Sequence, residues 1–131
     1  MSKRKILIVD DEAALVELLK DHFEFVGFEV LKAFDGGQAF ERALAHKPEI
    51  ILLDVIMPKV DGLEACRRLK ENPETKAIPI LMLTADAQQK RIAQVIAAGA
   101  TAYMMKPFTI DAITSKVREM LPIPPVVPLQ A

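Results

Sequence analysis

Residues 49–62 read Glu-Ile-Ile-Leu-Leu-Asp-Val-Ile-Met-Pro-Lys-Val-Asp-Gly. Four large aliphatic residues, Ile50 to Leu53, run without polar alternation and stop on a carboxylate, Asp54. An unbroken apolar run of this length is how a strand reads when both of its faces are covered, as in a parallel sheet. Asp61 with Glu64 has the spacing of a capping box, so a helix is expected to open there. The stretch is therefore a strand, a turn and a helix start, with an acid at the strand's carboxyl end.

The same unit recurs along the chain. Apolar runs occur at Lys5–Asp10, Phe28–Ala33, Pro79–Thr84 and Thr101–Met105, and each is followed by a segment with helical spacing. The run at Phe28–Ala33 alternates more, which suits a strand nearer an edge. Leu15, Leu18, Leu19, Phe23 and Val26 form the first helical stripe, closed by Gly27. Phe40, Ala43 and Leu44 mark a short second helix stopped before Pro48, and Leu63, Cys66 and Leu69 a third closed by Asn72-Pro73. Ile92, Val95 and Ile96 mark a fourth ending at Gly99, which Asp86 and Gln89 would open as a second capping pair. Ile110, Ile113, Val117 and Leu121 mark the fifth, ending at Pro122. Five βα units with right-handed crossovers predict a doubly wound α/β sandwich around a five-stranded parallel sheet.

Composition sets the outer limits. The 131 residues suit one domain, and 51% apolar with 27% charged residues is an ordinary globular balance. Seventeen basic against eighteen acidic residues leave a formal charge of −1, so no basic excess points to direct nucleic-acid binding. The single cysteine, Cys66, excludes an internal disulfide framework. The apolar run behind the basic N-terminus is only Ile6 to Val9, short of the about 7–15 residues of a secretory signal. No apolar run approaches the ~20 residues of a membrane span. A soluble, cytoplasmic protein is expected. Residues 122–131 hold four prolines and no charge and read as an extended tail or linker stub behind a domain at 4–121.

Ligands of open α/β sheets bind at the carboxyl ends of the strands. There this chain places Asp10-Asp11-Glu12, Asp54, Thr84 and Lys106. A core has no use for such a one-sided gathering of polar groups. Clustered carboxylates repel one another unless a cation sits among them, and Lys106 alone cannot neutralise three. Oxygen ligands select a hard divalent ion, Mg²⁺ or Mn²⁺.

With Asp10-Asp11, Asp54 in LLDVIMPKVDG, Thr84-Ala85 and Lys106-Pro107-Phe108 in order on the expected elements, the chain resembles a response-regulator receiver domain of two-component signal transduction. The resemblance covers residues 4–121 and implies the flavodoxin-like strand order 2-1-3-4-5. It implies that Asp54 accepts a phosphoryl group from a histidine kinase or phosphotransfer protein and stores it as an aspartyl phosphate. Asp11, Asp54 and the backbone carbonyl of Ile56 would ligate Mg²⁺, with Asp10 holding it through water. Thr84 would bind a phosphoryl oxygen and Lys106 would offset its charge. Tyr103 would follow Thr84 as a switch, so that the fourth helix, fifth strand and fifth helix form a switchable face for a downstream protein. The Lys106-Pro107 bond is expected cis.

Duller readings compete with each residue. Asp11 could cap the first helix, Asp86 the fourth, and Tyr103 could be ordinary edge-strand packing. His22 and His46 carry no partner motif for a phospho-carrier, Cys66 faces a core and is expected inert, and the methionines fill the interior. Two other functions compete with a phospho-acceptor. A phosphatase or mutase resembling haloacid dehalogenases would carry a second Asp two residues after its nucleophile, whereas Val55 and Ile56 follow Asp54. A non-phosphorylated docking or dimerisation module of the same fold would usually have lost part of the site, and here all five positions are present.

Overall fold

The computed structural model describes residues 4–57, 61–85 and 88–121. Five strands and five helices alternate: β1 Lys5–Val9, α1 Ala13–Phe25, β2 Glu29–Ala33, α2 Gly36–His46, β3 Ile50–Asp54, α3 Gly62–Glu71, β4 Ile80–Thr84, α4 Gln89–Ala97, β5 Ala102–Met105 and α5 Ile110–Met120. The strands form one parallel sheet in the order β2-β1-β3-β4-β5. The doubly wound sandwich and its flavodoxin-like order are thus as the sequence and its resemblance predict.

Two apolar clusters sandwich the sheet. α1 and α5 cover one face, burying Val16, Leu19, Phe23, Ile113 and Val117 against Ile6, Ile8, Ile50, Leu52, Leu81 and Leu83. α2, α3 and α4 cover the other, with Ala39, Ala43, Ala65, Cys66, Leu69 and Val95 against Leu7, Val9, Ile51, Leu53, Ile80 and Met82. The sheet strands β3 and β4 are buried at every position, which explains why their sequences show no alternation. Edge strand β2 is partly exposed, in keeping with its mixed pattern.

Some details differ from the sequence reading. Leu18 and Ile96 belong to helical stripes but are exposed, because the sheet covers a narrower arc of α1 and α4 than the stripes span. α2 begins at Gly36, earlier than its apolar residues suggest, since the Asp35 side chain accepts from the Gln38 N–H and Gly36 is buried. α4 opens behind Gln88 without a side-chain cap, and Asp86, the expected cap, lies outside the described residues, as does the tail 122–131. Asp61 does cap α3, accepting from the Glu64 N–H at 2.9 Å. The Glu64 carboxylate turns instead to Arg67 and Arg68, so half of the capping box forms. Gly27 and Gly99 adopt the positive φ expected after α1 and α4. No helix among the described residues is long and apolar enough to cross a membrane.

Candidate functional site

The period-two alternation of a strand decides which end residues meet. Ile8, Leu52 and Met104 all lie on the sheet face covered by α1 and α5. Two residues further along each strand direction come Asp10, Asp54 and Lys106. The ladder carries them that far: the Asp10 N–H donates to the Ala33 carbonyl and the Lys106 N–H to the Thr84 carbonyl. Lys106 Nζ therefore lies 2.8 Å from Asp10 Oδ2 and 3.4 Å from Asp54 Oδ1. The Lys106-Pro107 peptide bond is cis. Thr84 lies one residue beyond Leu83 and so projects to the opposite, α3–α4 face, where it is buried.

Asp54 is only 6% exposed. Burial pushes its carboxyl up to about 6, the Asp10 charge adds to the rise, and Lys106 pulls against it. For Lys106, burial disfavours the ammonium, but hydrogen bonding and charge from Asp10 and Asp54 outweigh it, so the amine's pKa lies above its ordinary value. Asp10 is committed twice, since its Oδ1 also accepts the Glu12 N–H at 2.9 Å. α1 has Glu12 at its N-cap with no side-chain cap, so Asp11 does not serve as the cap that the duller reading offered it.

Asp11 is exposed beside the pair, and one oxygen from each of Asp10, Asp11 and Asp54 lies within 4.8 Å of the others. The opposed oxygens of an octahedral Mg²⁺ stand about 4 Å apart, so this donor set is of the right scale and hardness for a divalent cation. The charge balance agrees, with three carboxylates facing the single ammonium of Lys106. Ile56, whose carbonyl is the fourth expected ligand, follows β3 and is 57% exposed. A shallow cleft of about 360 Å³ opens beside the cluster, lined by Glu12, Leu15, Ala85, Lys106, Pro107 and Phe108.

Tyr103 is the register partner of Met82 on the α3–α4 face, the same face as Thr84. It is 38% exposed and lines a groove of about 480 Å³ with Val95, Ile96, Ala100, Thr101, Ala102 and Lys116. His22 does have a partner: its Nε2 lies 2.7 Å from Thr114 Oγ1, a tie between α1 and α5 that no local motif announces. Cys66 is buried, with Sγ 3.5 Å from the Ala98 carbonyl, and burial pushes its thiol up to about 11.

The sequence profile of the response regulator receiver domain matches residues 6–118. The chain belongs to that family. Over 117 residues this receiver domain is 40% identical to the phosphate regulon transcriptional regulatory protein PhoB of Rhizobium meliloti, covering 89% of the chain and 52% of that protein. It is 40% identical to the alkaline phosphatase synthesis transcriptional regulatory protein PhoP of Bacillus subtilis over 90% of the chain and 48% of that protein. The chain thus spans about half the length of the curated relatives it matches. Among solved structures, the receiver domain superposes on the chemotaxis protein CheY4 of Vibrio cholerae with a TM-score of 0.87 at 29% identity, covering 92% of this chain and all of that one. A CheY-like response regulator receiver domain protein from Methanospirillum hungatei aligns with a TM-score of 0.84 at 29% identity over 90% of this chain and 93% of that one.

Proposed function

We propose that this receiver domain accepts a phosphoryl group on Asp54 from the phosphohistidine of a histidine kinase or phosphotransfer protein. The observation that carries the reading is the placement of Asp54. It is a buried carboxylate at the end of the central strand β3, 3.4 Å from an ammonium and beside two further carboxylates. With a pKa of about 6, Asp54 is mostly ionised at neutral pH and can attack as the anion. Its carboxylate oxygen forms the new bond to phosphorus as the phosphorus–nitrogen bond to the donor imidazole breaks, and the imidazole leaves with that electron pair. Lys106 faces the entering group and offsets the charge of its oxygens, the main requirement of phosphoryl transfer. Asp10 holds the Lys106 ammonium in place.

Asp11, Asp54 and the Ile56 carbonyl would hold a Mg²⁺ or Mn²⁺ ion, with Asp10 behind them. When bound, the ion supplies the positive charge that lets carboxylate and phosphoryl oxygens approach. Thr84 takes a phosphoryl oxygen from the far face of the sheet. Tyr103, on that same face and half exposed, then settles into the groove beside α4, and the face made by α4, β5 and α5 changes for a downstream protein. The module works on itself alone, gaining and losing its own phosphoryl group, in the cytoplasm, and makes no nucleic-acid contact of its own.

Intact-mass measurement after incubation with a small phosphodonor and Mg²⁺ tests the assignment. The wild type should gain one phosphoryl group and Asp54→Asn none. Equal labelling of the two would remove Asp54 from the reaction. No labelling of either, by small donor or kinase, would leave the fold as a docking or dimerisation module.

A further inference from the structure

The amino end of α3 sits against the nucleophile's own main chain. The Gly62 N–H donates to the Val55 carbonyl at 2.9 Å, which ties the first residue of α3 to the residue after Asp54. A methyl group built on Gly62 would overlap the Asp54 carbonyl oxygen and stand 2.8 Å from both the Asp54 carbonyl carbon and Val55 Cα. Those are backbone atoms at the end of a buried central strand, and they cannot swing aside as a long side chain can. The requirement is one of space rather than of dihedral angle, since the glycines with positive φ are Gly27 and Gly99. A methyl group on Gly37, in the first turn of α2, meets nothing closer than Asp35 Oδ1 at 3.4 Å.

We propose that Gly62 is a positioning residue for the phospho-acceptor site. Its missing side chain lets α3 clamp the Asp54–Val55 main chain, and the clamp sets both the Asp54 carboxylate and the Ile56 carbonyl toward one divalent cation. Ile56 lies between the two clamped points, one residue past Val55, so a shift of the clamp moves that carbonyl together with Asp54. A side chain at 62 pushes the α3 end and the strand end apart, and the two ligands part with them. This rests on the assignment of Asp54 and Ile56 as cation ligands made above.

The test is Mn²⁺ affinity, read from the paramagnetic resonance of free Mn²⁺ at a temperature where circular dichroism shows every variant folded. Gly62→Ala should bind about tenfold more weakly or worse, the size of effect seen when groups supporting metal ligands are altered. Gly37→Ala, and Leu69→Val in the buried face of α3, should stay within about twofold of the wild type. Equal binding by Gly62→Ala, or an equal loss in Leu69→Val, overturns the proposal. Wild-type protein that binds no Mn²⁺ overturns the cation assignment beneath it as well. Should Gly62→Ala fail to fold, exchange of the Gly62 amide in the wild type decides. Saturating Mg²⁺ should slow it about tenfold, and an unchanged rate overturns the clamp.

Discussion

Replacing Asp54 with Asn should stabilise the cation-free protein at neutral pH while leaving its stability at low pH unchanged. The Asp54 carboxyl is displaced from 3.8 to about 6 by burial first and by Asp10 second. The folded state therefore holds this proton over a pH range where the unfolded chain has released it. Stability contributed by the protonated form is complete below about pH 4 and is lost as pH rises toward 6. The full penalty is about 3 kcal/mol at ~1.4 kcal/mol per pH unit. Asparagine has the same shape and no charge, so it escapes that cost. It gives up the Lys106 contact at 3.4 Å, but Lys106 keeps its 2.8 Å partner Asp10. The expected gain is about 2–3 kcal/mol at pH 7.5 and close to zero at pH 3.5. Urea denaturation followed by circular dichroism in excess chelator measures it, with the slope of the transition unchanged. A difference between variant and wild type that is flat from pH 3.5 to 7.5 would refute the reasoning, as would an asparagine variant that is less stable at pH 7.5.

Millimolar Mg²⁺ should stabilise the wild type by preferential binding to the native state, by about 2.7 kcal/mol at a hundredfold excess over Kd; the melting temperature should rise accordingly, and Asp11→Ala should abolish the rise. Tyr103, the chain's one tyrosine, is partly open to solvent at rest, so its fluorescence should become less accessible to a soluble quencher on phosphorylation. Thr84→Ala should weaken that change, and unchanged quenching in protein shown by mass to be phosphorylated would leave Tyr103 a packing residue. Asp61→Ala removes the cap on the Glu64 N–H and should cost about 1 kcal/mol in urea denaturation. Cys66, buried and with its thiol pushed up to about 11, should resist alkylation at pH 8 in native protein and react once denatured.

The strands were legible because burial on both faces leaves a simple mark, an unbroken apolar run, and Ile50–Leu53 and Ile80–Leu83 carry it. The helices were legible in number but not in detail. An apolar helical stripe spans more of the surface than a sheet can cover, so Leu18 in the first stripe and Ile96 in the fourth look like core and are not. The start of α2 at Gly36-Gly37 contradicts helix propensity, and the Asp35 cap together with burial of Gly36 outweighs it. The His22–Thr114 tie joins residues 92 positions apart and leaves no pattern in either helix alone.

Sequence by itself determined that this chain is a string of βα units and that acids, a hydroxyl and an amine stand at the carboxyl ends of the strands, because both facts are local. Tertiary structure alone decided which of those groups come together in space. Parity along each strand sends Asp10, Asp54 and Lys106 to the α1–α5 face, and Thr84 with Tyr103 to the α3–α4 face. Parallel crossovers then bring Lys106 within 2.8 Å of an acid 96 residues earlier. The room for Gly62 against Asp54 is likewise a matter of how closely a helix end meets a strand end, a distance set by packing across the fold.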